Sequence, residues 1–197
     1  KDIEKLEKFL QGKPIAEQEI GRLLIMETIA FSETSMCRRK YILHYFGEEF
    51  ASSDCNQMCD NCKNPKPTSE GKVEVKKLLE VIIECKQRFK PKEIAKIMIG
   101  ESNSLIKQHM SQISHVFGSG KEKSIQFWHS IIRQVYVKQL ITKEIESYGV
   151  LKITDKGIDF INSPKSFMIT EDHDYNELND QKIITNQKGQ ALDNKLY

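Results

Sequence analysis

Four of the chain's five cysteines lie between positions 37 and 62, and this cluster constrains the fold more than any other feature. Cys37, Cys55, Cys59 and Cys62 are separated by seventeen, three and two residues. A chain surrounds tetrahedral zinc with four thiolates by placing close cysteines on a tight loop and adding one from a distant element. The spacing therefore predicts one structural zinc ion, with no open position for water.

Other uses of the cysteines fit the sequence less well. A redox pair at Cys59 and Cys62 would be expected beside a βαβ unit, and no such pattern surrounds them. Cys85 stands apart on the apolar face of a later helix, and we expect a buried thiol there that behaves as a small hydrophobic side chain. Clustered cysteines of this kind favour metal ligation in a reducing cytosolic or nuclear compartment over a disulfide framework.

The sequence contains no signal for membrane insertion or secretion. No apolar run approaches the roughly 20 residues that span a bilayer, and the Lys- and Glu-rich start is unlike a signal peptide. We therefore expect no membrane partner.

Residues 1–65 are predicted to form a zinc-binding helical subdomain. The apolar spacing within 17–31 indicates one helix, and Cys37, Tyr41, His44 and Tyr45 form the stripe of a second, which Gly47 would end. We expect the two helices to pack together, clipped by the metal. Residues 66–71 lie in the stretch KNPKPTSEG, which has two prolines, a glycine and no large apolar residue, and they are interpreted as a linker.

Residues 72–162 follow the pattern of a winged helix, in which several helices precede one β-hairpin. An amphipathic helix covers 72–87, a second runs from Pro91 to Gly100, and a third is capped by Ser102 or Ser104. A fourth follows Ser124. Two short strands at 141–145 and 150–154 enclose a turn at Gly149. Residues 163–197 are polar and acidic and predict a flexible tail or linker.

The predicted fold class is therefore mainly α: a zinc-clipped helical platform followed by a winged helix with a short hairpin wing. Its charge is unevenly spread, with a net +6 over residues 71–163 and −2 on each side. A basic middle block is typical of proteins that bind polyanions, although a solvated lysine-rich surface would give the same count.

Three stretches carry a resemblance to a known family. CRRKYILHYFGE, CNQMCDNC and HVFGSGKEKSIQFWHSIIRQV resemble the region that follows the motor in RecQ-type DNA helicases. The resemblance covers about residues 1–162. It implies part of an ATP-driven 3′-5′ DNA helicase of replication, recombination and repair, with duplex, forked or overhang DNA and the motor domain of the same longer chain as partners.

The resemblance also implies that ATP and Mg²⁺ belong to a motor that this sequence does not contain. GSGKE superficially resembles a phosphate-binding loop, but His115 stands where the first glycine should be and Glu122 follows Lys121 in place of Ser or Thr. We expect no catalytic residue in this chain and no ATP hydrolysis by it alone.

The DNA contacts that the resemblance implies begin with Lys121, supported by Lys123 in the same glycine-containing loop. Ser102 and Asn103 match a family stretch that approaches phosphates near a helix start. The sequence departs from many relatives at this corner, because Gly100 replaces a frequent arginine and Glu101 adds a negative charge.

The last long helix is predicted to use its apolar face, including Trp128, for packing. Arg133, with His129 and Gln134, lies on its polar side and could contact the DNA backbone or remain solvated. The resemblance implies that Tyr148 at the hairpin tip stacks on the terminal base pair where strands part, an interaction that contributes roughly 1 to 3 kcal/mol per base. The other possibility is a turn tyrosine packed on its own hairpin.

Two other functions fit some of these features. A zinc-containing winged-helix transcription regulator would need a solvent-facing recognition helix, and an interaction module would use the wing to bind protein. Arg38 and Arg39 are interpreted as platform residues that pair with carboxylates or face the motor. We expect a monomer in the bacterial cytoplasm at the nucleoid, or in the nucleus of a eukaryote.

Overall fold

The computed structural model describes residues 2–173, and within them the chain is mainly helical. The N-terminal subdomain (residues 2–65) contains α1 (Asp2–Lys8), α2 (Ile15–Glu33), α3 (Arg38–Tyr45), a 3₁₀ turn (Ser52–Cys55) and α4 (Asp60–Lys63). The C-terminal subdomain (residues 72–162) contains α5 (Lys72–Glu84), α6 (Pro91–Ile99), α7 (Ser104–Gln108), α8 (Met110–Ile113), α9 (Ile125–Val137), β2 (Ile141–Glu144), β3 (Val150–Ile153) and α10 (Asp155–Asn162). Two further strands, β1 (Thr68–Glu70) and β4 (Met168–Thr170), flank the second subdomain.

The C-terminal subdomain has the winged-helix arrangement. Its core is built from the apolar faces of α5, α6 and α9 together with the hairpin β2–β3, in which Ile141 is opposite Ile153. The backbone N–H of Leu151 donates to the carbonyl of Phe89 at 3.0 Å, which adds an extended segment beside β3. The predicted fold class, a helical platform followed by a winged helix with a short wing, is confirmed.

Local sequence signals account for most helix ends. Gly100 ends α6 with a φ of 80°, and the Ser124 hydroxyl accepts a hydrogen bond from the N–H of Phe127 at 3.1 Å at the start of α9. The third helix differs from the prediction. Its cap is Asn103, whose Oδ1 accepts from the N–H of Ile106 at 2.8 Å, and the helix is broken at His109 into α7 and α8.

The expected flexible tail is partly structured. Residues 66–71 and 163–197 were interpreted as a linker and a polar tail, yet β1 from the first pairs with β4 from the second, with Ser69 opposite Ile169. Ile169 and Phe167 are buried. Each strand has three residues, which is too short for an alternating pattern to reveal it. Residues 174–197 of the expected tail lie outside the described residues.

The segment 167–173, called the strap, covers the polar side of α9. The carbonyl of Thr170 accepts hydrogen bonds from the Gln134 amide at 2.6 Å and from the Ser130 hydroxyl at 2.9 Å. The Gln134 amide oxygen in turn accepts from the N–H of Thr170 at 3.0 Å. Gln134 is therefore buried, and α9 packs on both its apolar and its polar side.

Arg133 joins three separate parts of the chain. Its guanidinium donates to Glu33 of α2 at 2.5 Å and also to Asp172 of the strap. Burial alone would lower the pKa of Arg133, but the two carboxylates outweigh it and raise the pKa, so the group stays charged. The Arg133 side chain is only 14% exposed. These two ion pairs therefore connect α9 of the C-terminal subdomain to α2 of the N-terminal subdomain and to the strap.

Two further ion pairs connect the hairpin side of the C-terminal subdomain to α2. Lys143 of β2 pairs with Glu27, and Lys90 pairs with Glu19 at 2.8 Å. A Cβ on Gly149 at the hairpin tip would lie 2.9 Å from Leu23, so the tip rests directly on α2. Within residues 2–173, no helix has both the length and the hydropathy needed to cross a bilayer.

Replacing Arg133 by Ala should destabilise the protein strongly. The substitution removes the guanidinium partner of the Asp172 carboxylate, whose side chain is only 10% exposed, and breaking a buried pair in this way costs about 3 to 5 kcal/mol. Urea unfolding followed by circular dichroism measures this loss. Arg22→Ala is the matched control, because its partner Glu19 lies three residues earlier on the same exposed helix surface and such pairs contribute less than about 1 kcal/mol. Similar costs for both variants would contradict a structural role for Arg133.

Candidate metal centre and nucleic-acid interface

The four predicted zinc ligands converge. The Sγ atoms of Cys37, Cys55, Cys59 and Cys62 all lie within 4.8 Å of one another, and Cys37 and Cys55 are buried. A tetrahedral ion with zinc–sulfur bonds of about 2.3 Å sets its sulfurs about 3.8 Å apart, so small side-chain movements suffice to close the site. Four thiolates are a donor set that suits zinc, and four protein ligands leave no position for a substrate.

The backbone brings these cysteines together by short local devices. Cys55 ends the 3₁₀ turn, and the next two residues, Asn56 and Gln57, adopt left-handed conformations with φ of 47° and 57°. This reverses the chain so that Cys59, at the start of α4, faces Cys55. The N–H of Cys62 then donates to the Cys59 sulfur at 3.4 Å.

Asn61 connects this loop to the segment that carries Cys37. Its side-chain amide is buried and donates to the carbonyls of Thr34 and Met36, both at 2.7 Å. Because the amide N–H groups are occupied, the amide oxygen is the acceptor in the 2.8 Å hydrogen bond with His173 Nε2 of the strap. Sequence reasoning missed Asn61; a small polar residue enclosed by two ligand cysteines is the signal that could have indicated it.

Arg38 closes the same loop from outside. Its guanidinium donates to the Asp60 carboxylate through two nitrogens, at 2.8 and 2.9 Å, and to the carbonyl of Phe31 at 2.5 Å. The bond to Arg38 lowers the pKa of Asp60. Arg38 therefore pairs with a carboxylate within the N-terminal subdomain, while Arg39 is exposed.

The protonation of the thiols differs across the cluster. Burial raises the pKa of Cys37 and of Cys62. Burial acts on Cys59 as well, but hydrogen bonds from the N–H groups of Arg38 and Cys62 outweigh it and lower the Cys59 pKa to about 7. Four thiolates this close repel each other, so the fully ionised set requires a bound cation. Cys85, in contrast, is buried in the C-terminal core, where burial raises its pKa to about 11.

A rigid glycine-containing loop precedes α9. The N–H groups of Gly118 and Gly120 donate to the carbonyls of Ile97 and Met98, both at 2.7 Å. The indole of Trp128 donates to the carbonyl of Gly120 at 2.9 Å, and a Cβ on Gly120 would lie 2.4 Å from the Trp128 ring. Trp128 is fully buried, as predicted for a core residue. No strand lies between α8 and this loop, so it lacks the strand–loop–helix context of an ATP-binding loop.

Lys121 and Lys123 are exposed on this loop, where Glu122 between them is paired with Lys77 at 3.1 Å. Gly100 approaches the same loop closely, since a Cβ on it would lie 3.4 Å from Gly118 Cα. This contact brings the start of the segment that carries Ser102 and Asn103 against the start of the loop that carries the lysines. We call Ser102, Asn103, Lys121 and Lys123 the basic corner. The Asn103 oxygen caps α7, and Glu101 is exposed and adds a negative charge next to it.

The structure does not place Arg133 on a surface. It was predicted as a DNA contact on the polar side of α9, but the strap covers that side and the guanidinium is held by Glu33 and Asp172. Two elements distant in sequence produce this burial, so the helical pattern alone could not show it. Arg133 is accordingly a junction residue, and it is left out of the nucleic-acid interface.

Tyr148 lies at the hairpin tip, as predicted, but its ring is half-buried. It has a φ of 52°, and the Lys90 ammonium lies 5.7 Å from its ring centroid. The most exposed apolar side chain of the tip is Ile145, at 77%. Sequence reasoning missed Ile145, although an isoleucine beside a turn was an available signal.

Two family models match successive parts of the chain. A family model described as RecQ zinc-binding matches residues 1–63, and one described as RQC domain matches residues 65–177. The chain is 34% identical over 140 residues to the ATP-dependent DNA helicase RecQ of Pasteurella multocida. It is 33% identical over 143 residues to that of Haemophilus influenzae, and 28% identical over 141 residues to the ATP-dependent DNA helicase Q-like 4B of Arabidopsis thaliana.

These alignments cover 68%, 70% and 67% of this chain. They cover 22%, 23% and 12% of the three relatives. The chain thus spans less than a quarter of the length of the relatives it matches.

Cys59→Ser should abolish zinc binding and unfold the N-terminal subdomain, because metal ligation and folding are coupled in small metal-binding units. We expect elemental analysis of the purified chain to give one zinc per chain and the variant to give none. Cys85→Ala is the control, since that thiol lies outside the cluster and its loss should leave the zinc content unchanged. A Cys59→Ser variant that is zinc-free yet fully folded by NMR would refute the coupling.

Proposed function

The chain belongs to the RecQ helicase family, and we propose that it is the DNA-binding part of a 3′-5′ DNA helicase acting in replication, recombination and repair. In this proposal a structural zinc ion, held by Cys37, Cys55, Cys59 and Cys62, stabilises the helical platform. The winged helix attached to the platform binds duplex DNA at the junction where the strands separate. The zinc supplies folding energy to this chain and no chemistry.

The observation that carries the proposal is the basic corner. Two exposed lysines lie on a loop whose backbone is fixed by α6 and by Trp128, and the carboxylate between the lysines is already paired. Neither lysine forms an ion pair with a described residue, although the Lys123 ammonium lies 4.9 Å from the Phe127 ring centroid. A loop with a fixed backbone suits phosphate binding, since ordering the loop on DNA then costs little conformational entropy. The Ser102 hydroxyl and the amide N–H groups of Asn103 add neutral donors.

The packing of α9 supports recognition of DNA structure over base sequence. A recognition helix reads bases by placing polar side chains in the major groove. In this protein Gln134 and Arg133 are covered by the strap, and Trp128 and Ile131 are buried in the core. This arrangement does not favour a sequence-specific transcription regulator.

We further propose that the hairpin tip contacts the end of the duplex. Ile145 presents an exposed apolar surface, and the Tyr148 ring beside it is supported by Lys90. The tip rests on α2 at Leu23, so a base pair pressing against it meets a supported surface. Stacking there would keep base pairs that the motor has opened from closing again.

The remaining partner in this proposal is the ATP-binding motor of a longer chain, which would supply all ATP and Mg²⁺ chemistry. The exposed apolar side chains of the N-terminal subdomain support such a partner. Phe9 and Ile15 are 76% and 80% exposed, and Ile3, Leu6, Ile20 and Leu24 on α1 and α2 are also exposed. Large apolar side chains grouped in this way mark protein contact surfaces. The protein would work as a monomer where its DNA is, in the bacterial cytoplasm or a eukaryotic nucleus.

Lys121→Gln and Lys123→Gln should each weaken DNA binding and make it less sensitive to salt. One lost phosphate contact lowers the slope of log K against log salt concentration by about 0.9 on duplex DNA. Fluorescence anisotropy with forked, duplex and single-stranded DNA over a salt series measures the slope. Lys8→Gln on α1 is the matched control and should keep the wild-type slope. Absence of DNA binding at low salt would remove the proposal, and one strongly preferred duplex sequence would favour a transcription regulator.

Within the longer helicase, Tyr148→Ala should reduce strand separation more than ATP turnover, because the tip acts on the base pair and not on the nucleotide. Tyr148→Phe keeps the ring and should retain unwinding, and Ile145→Ala should share the Tyr148→Ala defect. Unwinding and DNA-stimulated ATP hydrolysis are measured on the same forked substrate. Equal losses in both activities would exclude a role of the tip in separating strands.

A further inference from the structure

Two cavities lie along the junction between the subdomains and share two wall residues. The larger, of about 350 Å³, and the smaller, of about 160 Å³, are both lined by Lys40 of α3 and by Lys138, which follows α9. One lysine thus comes from the N-terminal subdomain and the other from the C-terminal subdomain. Neither residue belongs to the metal cluster or to the basic corner.

Both ammonium groups lack an acidic partner. Among residues 2–173, no carboxylate lies within ion-pair distance of Lys40 or Lys138, and neither side chain donates a hydrogen bond. Two like charges facing one cavity repel each other, and a bound anion would remove that repulsion.

The smaller cavity has hydrogen-bond donors and no carboxylate in its wall, which also includes the metal-ligand candidate Cys37. Ser52 is exposed at its rim with a hydroxyl that has no partner among the described residues. Ser35 and Thr170 also line it, and because their hydroxyls bond each other at 2.7 Å, one of the two hydrogens is left over. Glu48 and Glu49 line only the larger cavity. An anion is therefore expected in the smaller one.

We propose that the smaller cavity is a phosphate-binding site, in which Lys40 and Lys138 contact one phosphate group from opposite subdomains and Ser52 donates a hydrogen bond to it. Its volume of about 160 Å³ is about five times that of a water molecule in the liquid, which leaves room for a phosphate. The phosphate could be free or part of a nucleic-acid backbone. The second source rests on the proposed function and would extend the DNA contact from the winged helix to the metal-binding platform.

The test uses the zinc-loaded full chain and the variants Lys40→Gln, Lys138→Gln and the double substitution, with Lys8→Gln as control. Titration with inorganic phosphate, followed by amide NMR shifts, should show saturable changes at Ser52 and Lys138. Losing one charged hydrogen bond should weaken this binding about tenfold in each Gln variant. Lys138→Arg keeps the charge and should retain binding, while zinc content and unfolding midpoints verify that all variants are folded.

A second arm measures DNA binding over the salt series used for the basic corner. If a backbone phosphate occupies the site, the double variant should lower the salt slope by about 0.9 on duplex or about 0.7 on single-stranded DNA. If the variants lose phosphate binding but keep the wild-type salt slope for DNA binding, the site binds a free anion. No saturable phosphate binding together with unchanged DNA slopes overturns the site. A wild-type chain that fails to bind DNA counts against the proposed function, and the phosphate titration still decides the site.

Discussion

The convergence of four thiols is the constraint on which the N-terminal half depends, because this half buries little else. Among the described residues, α1 has no buried side chain, and α2 buries only Ala30. The small apolar cluster around Ala30 and Tyr41 includes Val137, which belongs to the C-terminal subdomain. A unit with so small a core needs a metal or a neighbour to fold; this one has a neighbour and four cysteines placed to hold a metal. Asn61 and Arg38 then fix the ligand loop in the position that the ion requires.

The junction between the subdomains is polar and is held by the strap. The strap residue Thr170 is hydrogen-bonded to Gln134 of the winged helix. The backbone N–H of His173 donates to the carbonyl of Glu33 in the N-terminal subdomain. Asp172 contacts both subdomains. Partly buried ion pairs demand specific geometry, so they fix orientation even where their net contribution to stability is small. The winged helix is therefore held at one angle on its platform.

The orientation of the winged helix on its platform determines where the proposed DNA contacts lie relative to each other. The basic corner lies at the ends of α6 and the loop before α9, whereas the hairpin tip rests on α2. Both sites belong to the C-terminal subdomain, and the tip also contacts the N-terminal subdomain at Leu23. Lys40 and Lys138 lie where those subdomains meet. Because the strap covers the polar side of α9, the proposed interface would recognise the backbone and the shape of DNA.

The sequence by itself determined the features whose causes are local. The cysteine spacing predicted the ligand set, Gly100 and Ser124 marked helix ends, and Trp128 was recognisable as core from its apolar neighbours. These features depend on residues a few positions apart, so their signals lie within one window of sequence. The order of several helices followed by one hairpin predicted the winged helix, and the family resemblance in the motifs agreed with it.

Tertiary structure alone decided the burial and the pairing of residues whose partners are distant in the sequence. Arg133 was read as a surface residue of an amphipathic helix, but its partner Glu33 is 100 positions away and Asp172 lies in a segment expected to be flexible. The pairing of β1 with β4 and the proximity of Lys40 to Lys138 also involve residues that are far apart in the sequence. A helical pattern shows which side of a helix is polar. Only packing decides whether water or another segment of the chain forms the hydrogen bonds of the polar groups on that side.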